Sequence, residues 1–320
     1  MFDERTQSQL DKKILRELGP LAELLQNPTT TDIIRNPDGS LWLHASGEPK
    51  HQLDVTFSED QAMRLIGSIA ASAGTIVTAE APLLQATLPG GARFQAMIPP
   101  SVQAPAFAIR CHSQVHFKLS DYIPDRMPES VAERLRQALR NRENVIISGG
   151  TGSGKTTLTG AMLLELATLC PDDRLCVMED TRELPNVSAD AVYEQTTKTV
   201  SMRALLATNL RMRPDRIILG EIRGQEALDL LKSWNTGHPG GITTVHANSA
   251  RSALSRFEQL ILEGHDLQLA YLRSLISDVV QLVVQIERVP QKGPVITALI
   301  EVTGLSLEGR YETKVLYSIK

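Results

Sequence analysis

The plainest chemistry in the chain lies in Gly149-Gly150-Thr151-Gly152-Ser153-Gly154-Lys155-Thr156, a GxxxxGK[ST] pattern followed by Thr157. It follows the apolar run NVIIS and opens the helical stretch TTLTGAMLLELATL, the strand–loop–helix setting the pattern requires. Glycines let the backbone wrap so that successive N–H groups point inward at phosphate oxygens. The start of the following helix adds partial positive charge. In such a loop Lys155 reaches the β- and γ-phosphates of a nucleotide, and Thr156 offers its hydroxyl to Mg²⁺.

Three further segments carry groups suited to the same chemistry. The run RIILGE places Glu221 just past an apolar strand, where phosphate-transferring enzymes need an acid for Mg²⁺ or its water shell. Gly220 stands where such enzymes often have Asp, so Glu221 takes the metal role, the water role or both; the plainer alternative is a surface glutamate at a strand end. The run VMEDTREL ends another strand with three carboxylates, Glu179, Asp180 and Glu183, in five residues. Clustered carboxylates repel, so the fold keeps them together for a cation or a shared proton, or leaves them in a solvated loop. The segment TGHPGGITTVHANSA ends a short β-branched strand at His246. A histidine there can hydrogen-bond a γ-phosphate. His238 and His246 also raise the idea of metal ligation, which would need further Cys, His or carboxylate partners.

Taken together, GGTGSGKTT, EDTREL, RIILGEIRG and TGHPGGITTVHANSA resemble, in order and spacing, the Walker A, Asp box, Walker B and His box of the type II/IV secretion and pilus ATPases. The segment LRMRPDRIILGEIRG is most similar to the conjugative and type IV secretion branch. The chain is short and has no CxxC pair, unlike the larger type II enzymes with a zinc module. The motifs span Gly149 to Asn248; before them the likeness rests on layout, GGARFQAMIPP and FAIR. The resemblance implies ATP and Mg²⁺ bound through Lys155 and Thr156, with Glu183 and Glu221 handling metal and attacking water and His246 sensing the γ-phosphate. It implies that Arg93 and Arg110 reach nucleotide phosphates as the domains close, with Arg211, Arg213 or Arg223 acting across a subunit boundary. It further implies a homo-oligomeric ring, a hexamer, serving the inner-membrane secretion or conjugation machinery. Such a protein is cytoplasmic, with peripheral association at the cytoplasmic face of the inner membrane.

These groups need a scaffold. From Asn144 onward, NVIIS, RLCVME, RIILG and ITTVH alternate with helical stretches, the pattern of a mostly parallel sheet flanked by helices. VVQLVVQIERV and later runs read as strands closing that domain. The expected fold is α/β: a RecA-like P-loop ATPase domain over 131–320, a linker over 119–130, and a smaller α+β N-terminal domain over 1–118. In the N-terminal part, Leu10, Ile14, Leu15, Leu18, Leu21 and Leu25 predict one amphipathic helix from about Ser8 to Gln26. Asn36-Pro37-Asp38-Gly39 predicts a hairpin turn. Ser58 with Gln61 predicts a capping box for a helix to about Ala73, and ARFQAMI and AFAIRC read as strands. The segment FKLSDYIPDRMPES, with two prolines, reads as the linker, and Glu129 to Asn141 as a helix.

Composition bounds the alternatives. The 320 residues, 42% hydrophobic and 22% charged, suit a two-domain globular chain. Residues up to Lys118 carry 12 acidic and 10 basic groups and the remainder 25 and 23, so each part has a net charge of −2. With 4% aromatics as well, direct nucleic-acid binding is not expected, which counts against a RecA-like nucleic-acid motor. A small-molecule kinase would not need the Asp and His boxes, and a non-hydrolysing scaffold would not need the carboxylates. A pilus or type II assembly ATPase remains the other branch of the same resemblance. Cys111, Cys170 and Cys176 form no CxxC pair and fit a reducing compartment. The charged start MFDERTQSQL lacks a signal-peptide core, and no run of about 18 apolar residues occurs.

Overall fold

A computed structural model describes residues 4–45, 48–111, 117–197 and 199–319. The chain divides into two compact units, Met1–Val115 and His116–Lys320.

The first unit contains α1 (Glu4–Leu18), α2 (Leu21–Gln26), β1 (Thr30–Arg35), β2 (Leu41–Ala45), β3 (His51–Gln52), α3 (Glu59–Ser72), β4 (Leu83–Thr87), β5 (Arg93–Met97) and β6 (Ala106–Arg110). Its antiparallel sheet runs β3-β2-β1-β6-β5-β4. Ile33, Phe94, Phe107 and Ile109 from the sheet pack with Ile14, Leu18, Leu65 and Ile69 from the helices. The predicted capping box is present: the Gln61 N–H donates to Ser58 Oγ (3.2 Å) and the Ser58 N–H to Gln61 Oε1 (2.8 Å). The β1–β2 turn closes through Gly39 at φ +85°, with the Ser40 N–H donating to Asp38 Oδ1 at 2.9 Å.

The single helix expected from about Ser8 to Gln26 is two helices. Gly19, at φ +52°, ends α1, and Pro20 precedes α2. The leucine spacing runs through this break because Leu18 and Leu21 are both buried, one on each side of it.

The second unit contains α4 (Glu129–Arg140), β7 (Val145–Ser148), α5 (Lys155–Leu169), β8 (Leu175–Glu179), β9 (Ala191–Gln195), α6 (Met202–Asn209), β10 (Arg216–Leu219), α7 (Glu226–Asn235), β11 (Ile242–Val245), α8 (Ala250–Leu262), α9 (Leu269–Val279), β12 (Leu282–Val289), β13 (Gly293–Leu305) and β14 (Tyr311–Ser318). The sheet order is β14-β13-β12-β7-β11-β10-β8-β9. The six strands from β12 to β9 are mutually parallel, and β13 and β14 extend the sheet antiparallel. Both faces are covered, as continuous apolar strands require. On β7, Ile146 joins a core with Trp234, Phe257 and Ile276, while Val145 and Ile147 join one with Leu135, Leu158 and Met162 on the other side.

The stretch expected to link the domains, 119–130, is instead part of the second unit. Leu119, Tyr122 and Met127 are each at most 1% exposed and pack with α4 and α5. The prolines break any helical or alternating spacing, so these anchors left no periodic trace in the sequence.

Candidate active site

Parallel strands carry their C-terminal ends to one edge, where ligand crevices form in such sheets. Here that edge gathers Ser148 from β7, Glu179 from β8, Glu221 just after β10 and His246 just after β11. The GxxxxGK[ST] loop leaves β7 at Gly149 and enters α5 at Lys155.

The loop is built for close backbone approach. A side chain at Gly149 would place its Cβ 2.3 Å from the Ile286 carbonyl oxygen and 2.5 Å from Ser153 Oγ. Gly154, at φ +99°, lies against Pro294, which a Cβ would meet at 2.8 Å. The start of the β12–β13 hairpin's return strand therefore braces the loop. Ser153 is 4% exposed, and its Oγ is buried without a hydrogen-bond partner among the described residues. Such an orphaned hydroxyl suits a ligand oxygen. Gly150, Thr151 and Gly152 complete the loop, and Thr156 and Thr157 are half-buried in the first turn of α5.

Lys155 is 7% exposed. Its ammonium donates to the carbonyls of Gly149 (3.0 Å) and Gly150 (2.9 Å) and meets His246 Nδ1 at 3.2 Å. His246 Nε2 lies 2.8 Å from Glu221 Oε1. Glu221 Oε2 accepts from Arg223 Nη2 at 2.7 Å, and Arg223 Nη1 lies 3.1 Å from Asp180 Oδ2. Four separate sequence segments thus form one chain of contacts from the GxxxxGK[ST] loop to the acidic run. Burial and the nearby Lys155 charge depress the His246 pKa against the pull of Glu221. A neutral imidazole accepting at Nδ1 and donating from Nε2 satisfies both neighbours. Burial pushes the Glu221 pKa up, but the Arg223 hydrogen bond and the surrounding positive charges outweigh it, and the net shift is downward.

Within the acidic run, Glu179 is the residue that sequence reasoning left unassigned. It is 4% exposed. Its carboxylate accepts from the N–H groups of Glu183 (3.0 Å) and Leu184 (3.1 Å). Burial pushes its pKa up to about 7 despite those bonds. Gly220 explains the space it occupies: a Cβ there would come within 3.0 Å of Glu179 Cγ. The missing Asp of the RIILGE run and the buried Glu179 are one feature. The sequence held no signal that singles it out from Glu183, because the glycine that gives it room lies just after a neighbouring strand whose position only the fold decides.

The remaining candidates are dispersed. Arg93 and Arg110 belong to the first unit, where they face each other in the β5–β6 register. Arg211 and Arg213 are exposed after α6, whereas Arg223 is engaged within its own chain. His238 precedes β11, at the opposite end of that strand from His246, and its Nδ1 lies 2.8 Å from the Pro214 carbonyl oxygen. The two histidines do not share a site. Among the described residues no group of three or more His, Cys, Asp or Glu is placed to hold a metal, and no helix is long and apolar enough to cross a membrane.

A GxxxxGK[ST] loop is thus braced on a parallel sheet, with acids and a histidine at neighbouring strand ends, and the relatives of the chain are in keeping with that setting. Residues 15–295 match the family described as Type II/IV secretion system protein, and the chain belongs to that family. It is 41% identical over 317 residues to the conjugal transfer protein TrbB of Rhizobium radiobacter, covering 98% of this chain and 96% of that protein. It is 30% identical over 325 residues to the type IV secretion system protein VirB11 of Bartonella henselae, covering 87% of this chain and 90% of that one. The fold is shared with the Legionella pneumophila ATPase DotB (TM-score 0.63, 22% identity, 86% of this chain and 77% of that). It is also shared with the pilus retraction motor PilT in its ADP-bound structure (TM-score 0.63, 19% identity, 92% and 82%).

Proposed function

We propose that this chain is a RecA-like P-loop enzyme that hydrolyses ATP with Mg²⁺, works as a ring of six copies, and powers conjugative transfer or type IV secretion at the cytoplasmic face of the inner membrane. The observation that carries the reading is the meeting of Lys155, at the start of α5, with His246 and Glu221, just after two adjacent strands, at 3.2 and 2.8 Å. The near full-length similarity to conjugal transfer proteins supports the biological setting.

Lys155 now binds two carbonyls of its own loop. Nucleotide phosphates replace those partners, and the loop amides with Ser153 Oγ complete the cradle. Thr156 and Glu221 are the groups to hold Mg²⁺, which when bound neutralises charge on the phosphate oxygens. Drawing Lys155 onto phosphate removes its ammonium from His246 Nδ1, so the imidazole can take a proton there and donate it to the γ-phosphate while its Nε2–H stays on Glu221. Glu179, Glu183 and Glu221 are the carboxylates available to orient the attacking water. A buried carboxyl that titrates near neutrality is suited to accept its proton. Loss of the γ-phosphate releases the contacts that Lys155 and His246 make with it.

The test is Mg²⁺-dependent ATP turnover against protein concentration, with particle mass recorded in the same samples. Turnover confined to a six-fold assembly, and reduced about a hundredfold or more in Lys155→Ala, is the expected result. Unchanged turnover in Lys155→Ala, or equal turnover by a monomer, overturns it.

A further inference from the structure

Beside the phosphate loop lies a cavity of about 470 Å³ that the four motifs do not fill. Its inner wall is Gly150, Thr151 and His246; its outer wall is the solvent-facing side of α8. Four polar residues there, Ser252, Ser255, Arg256 and Gln259, follow the i, i+3, i+4, i+7 spacing of one helix face. The opposite face, with Ala253, Leu254, Phe257 and Leu260, is buried in the core. Packing accounts for the apolar stripe. The polar stripe is the helix face turned to solvent, and its place sets it apart: it lines a groove that opens onto the nucleotide loop and carries a cation, Arg256.

The wall chemistry favours an anion. Among the described residues no carboxylate lines the cavity. Arg256 supplies a cation, Asn248 and Gln259 bring amides, and Ser255 brings a hydroxyl. The Ser252 hydroxyl is committed to the helix cap, exchanging bonds with Ser249 at 2.9 to 3.1 Å. Arg256 is held loosely: Nη1 meets Gln259 Oε1 at 3.4 Å and Glu263 Oε1 at 3.5 Å.

We infer that the outer half of this cavity is a binding site for inorganic phosphate, a station through which orthophosphate cleaved from ATP leaves past His246 along α8, held by Arg256, Ser255 and Asn248. The inference rests on the hydrolase reading above. Thr151 and His246 line the cavity's end at the GxxxxGK[ST] loop and Ser255, Arg256 and Gln259 line the helix side, so a phosphate released there meets hydrogen-bond donors along an open groove. Because the site holds product and not substrate, Arg256 contributes to release and not to nucleotide binding or bond cleavage.

The experiment uses the full chain and separates cleavage from release. Rapid quench measures ATP cleavage, and a fluorescent phosphate sensor measures free phosphate, in the wild type, Arg256→Gln, Arg256→Lys and Ser255→Ala. Inorganic phosphate is also titrated into the ADP-loaded protein. The expected result is unchanged cleavage in all variants, with phosphate affinity of the ADP form lowered about tenfold in Arg256→Gln. The release rate changes with it, Arg256→Lys restores most of the affinity, and Ser255→Ala gives a smaller loss. Equal phosphate affinity and equal release in wild type and Arg256→Gln overturn the inference while leaving the hydrolase reading intact. A wild type that cleaves no ATP overturns the hydrolase reading, and this inference with it.

Discussion

Glu179 makes a prediction with a definite sign. A carboxyl that titrates near 4.5 when solvated is pushed up to about 7 in the fold, chiefly by burial. The folded chain therefore holds this proton between pH 4.5 and 7, while the unfolded chain has released it. Stability falls with pH wherever the native state binds more protons. The contribution is fully present below about 4.5, declines as pH rises towards 7, and is lost above it. At about 1.4 kcal/mol per pH unit the span is worth roughly 3 kcal/mol. Glu179→Gln removes the titration and keeps an oxygen that accepts from the Glu183 and Leu184 N–H groups. It should be within about 1 kcal/mol of wild type at pH 5 and more stable by roughly 2 to 3 kcal/mol at pH 8. The chain has two tryptophans, Trp42 in the first unit and Trp234 in the core of the second. In a Trp42→Phe background, fluorescence during urea unfolding reports the second unit alone. Parallel pH profiles with and without the Glu179→Gln substitution would refute the buried, protonated carboxyl. If Glu179 also accepts the proton of the attacking water, the same variant loses turnover while gaining stability.

Other consequences follow from the same geometry. Arg216 is 1% exposed at its side chain and bonds Asp173 Oδ2 at 2.6 Å and the Leu139 carbonyl at 2.8 Å. Arg216→Ala should cost about 3 kcal/mol, at the lower end for a broken buried pair because Arg142 still contacts Asp173, as measured by denaturant unfolding. Gly149→Ala should destabilise the second unit by about 1 to 3 kcal/mol and weaken nucleotide binding, since its Cβ collides with the Ile286 carbonyl; wild-type affinity in a calorimetric titration would contradict this. His246 should be neutral at pH 7, with the proton on Nε2, and should take a second proton only below the ordinary histidine range. Nitrogen NMR of the ring checks this, and a doubly protonated ring at pH 7 counts against the Lys155–His246–Glu221 chain.

Some of this molecule was legible in its residues alone. The GxxxxGK[ST] loop, the acidic strand end, the GEIRG run and the His-bearing strand were readable because each is local: a strand, its turn and its first helical residues dictate backbone course within about ten positions. The capping box at Ser58 and Gln61 and the turn at Gly39 were readable for the same reason. The sequence also showed that NVIIS, RLCVME, RIILG and ITTVH are buried on both faces, and hence that a parallel sheet holds them. It did not show β9 or β4, which lie at sheet edges where half-buried residues leave a weak pattern.

Tertiary structure decided the rest. Only the strand order β7-β11-β10-β8 places His246 between Lys155 and Glu221 and puts Asp180 within reach of Arg223. No spacing along the chain encodes which strand lies beside which. Glu179 and Glu183 look equivalent in the sequence, and only packing separates them. Gly220, just after the neighbouring strand, gives Glu179 a buried place, and desolvation there, a property of everything around the carboxyl, sets its proton affinity.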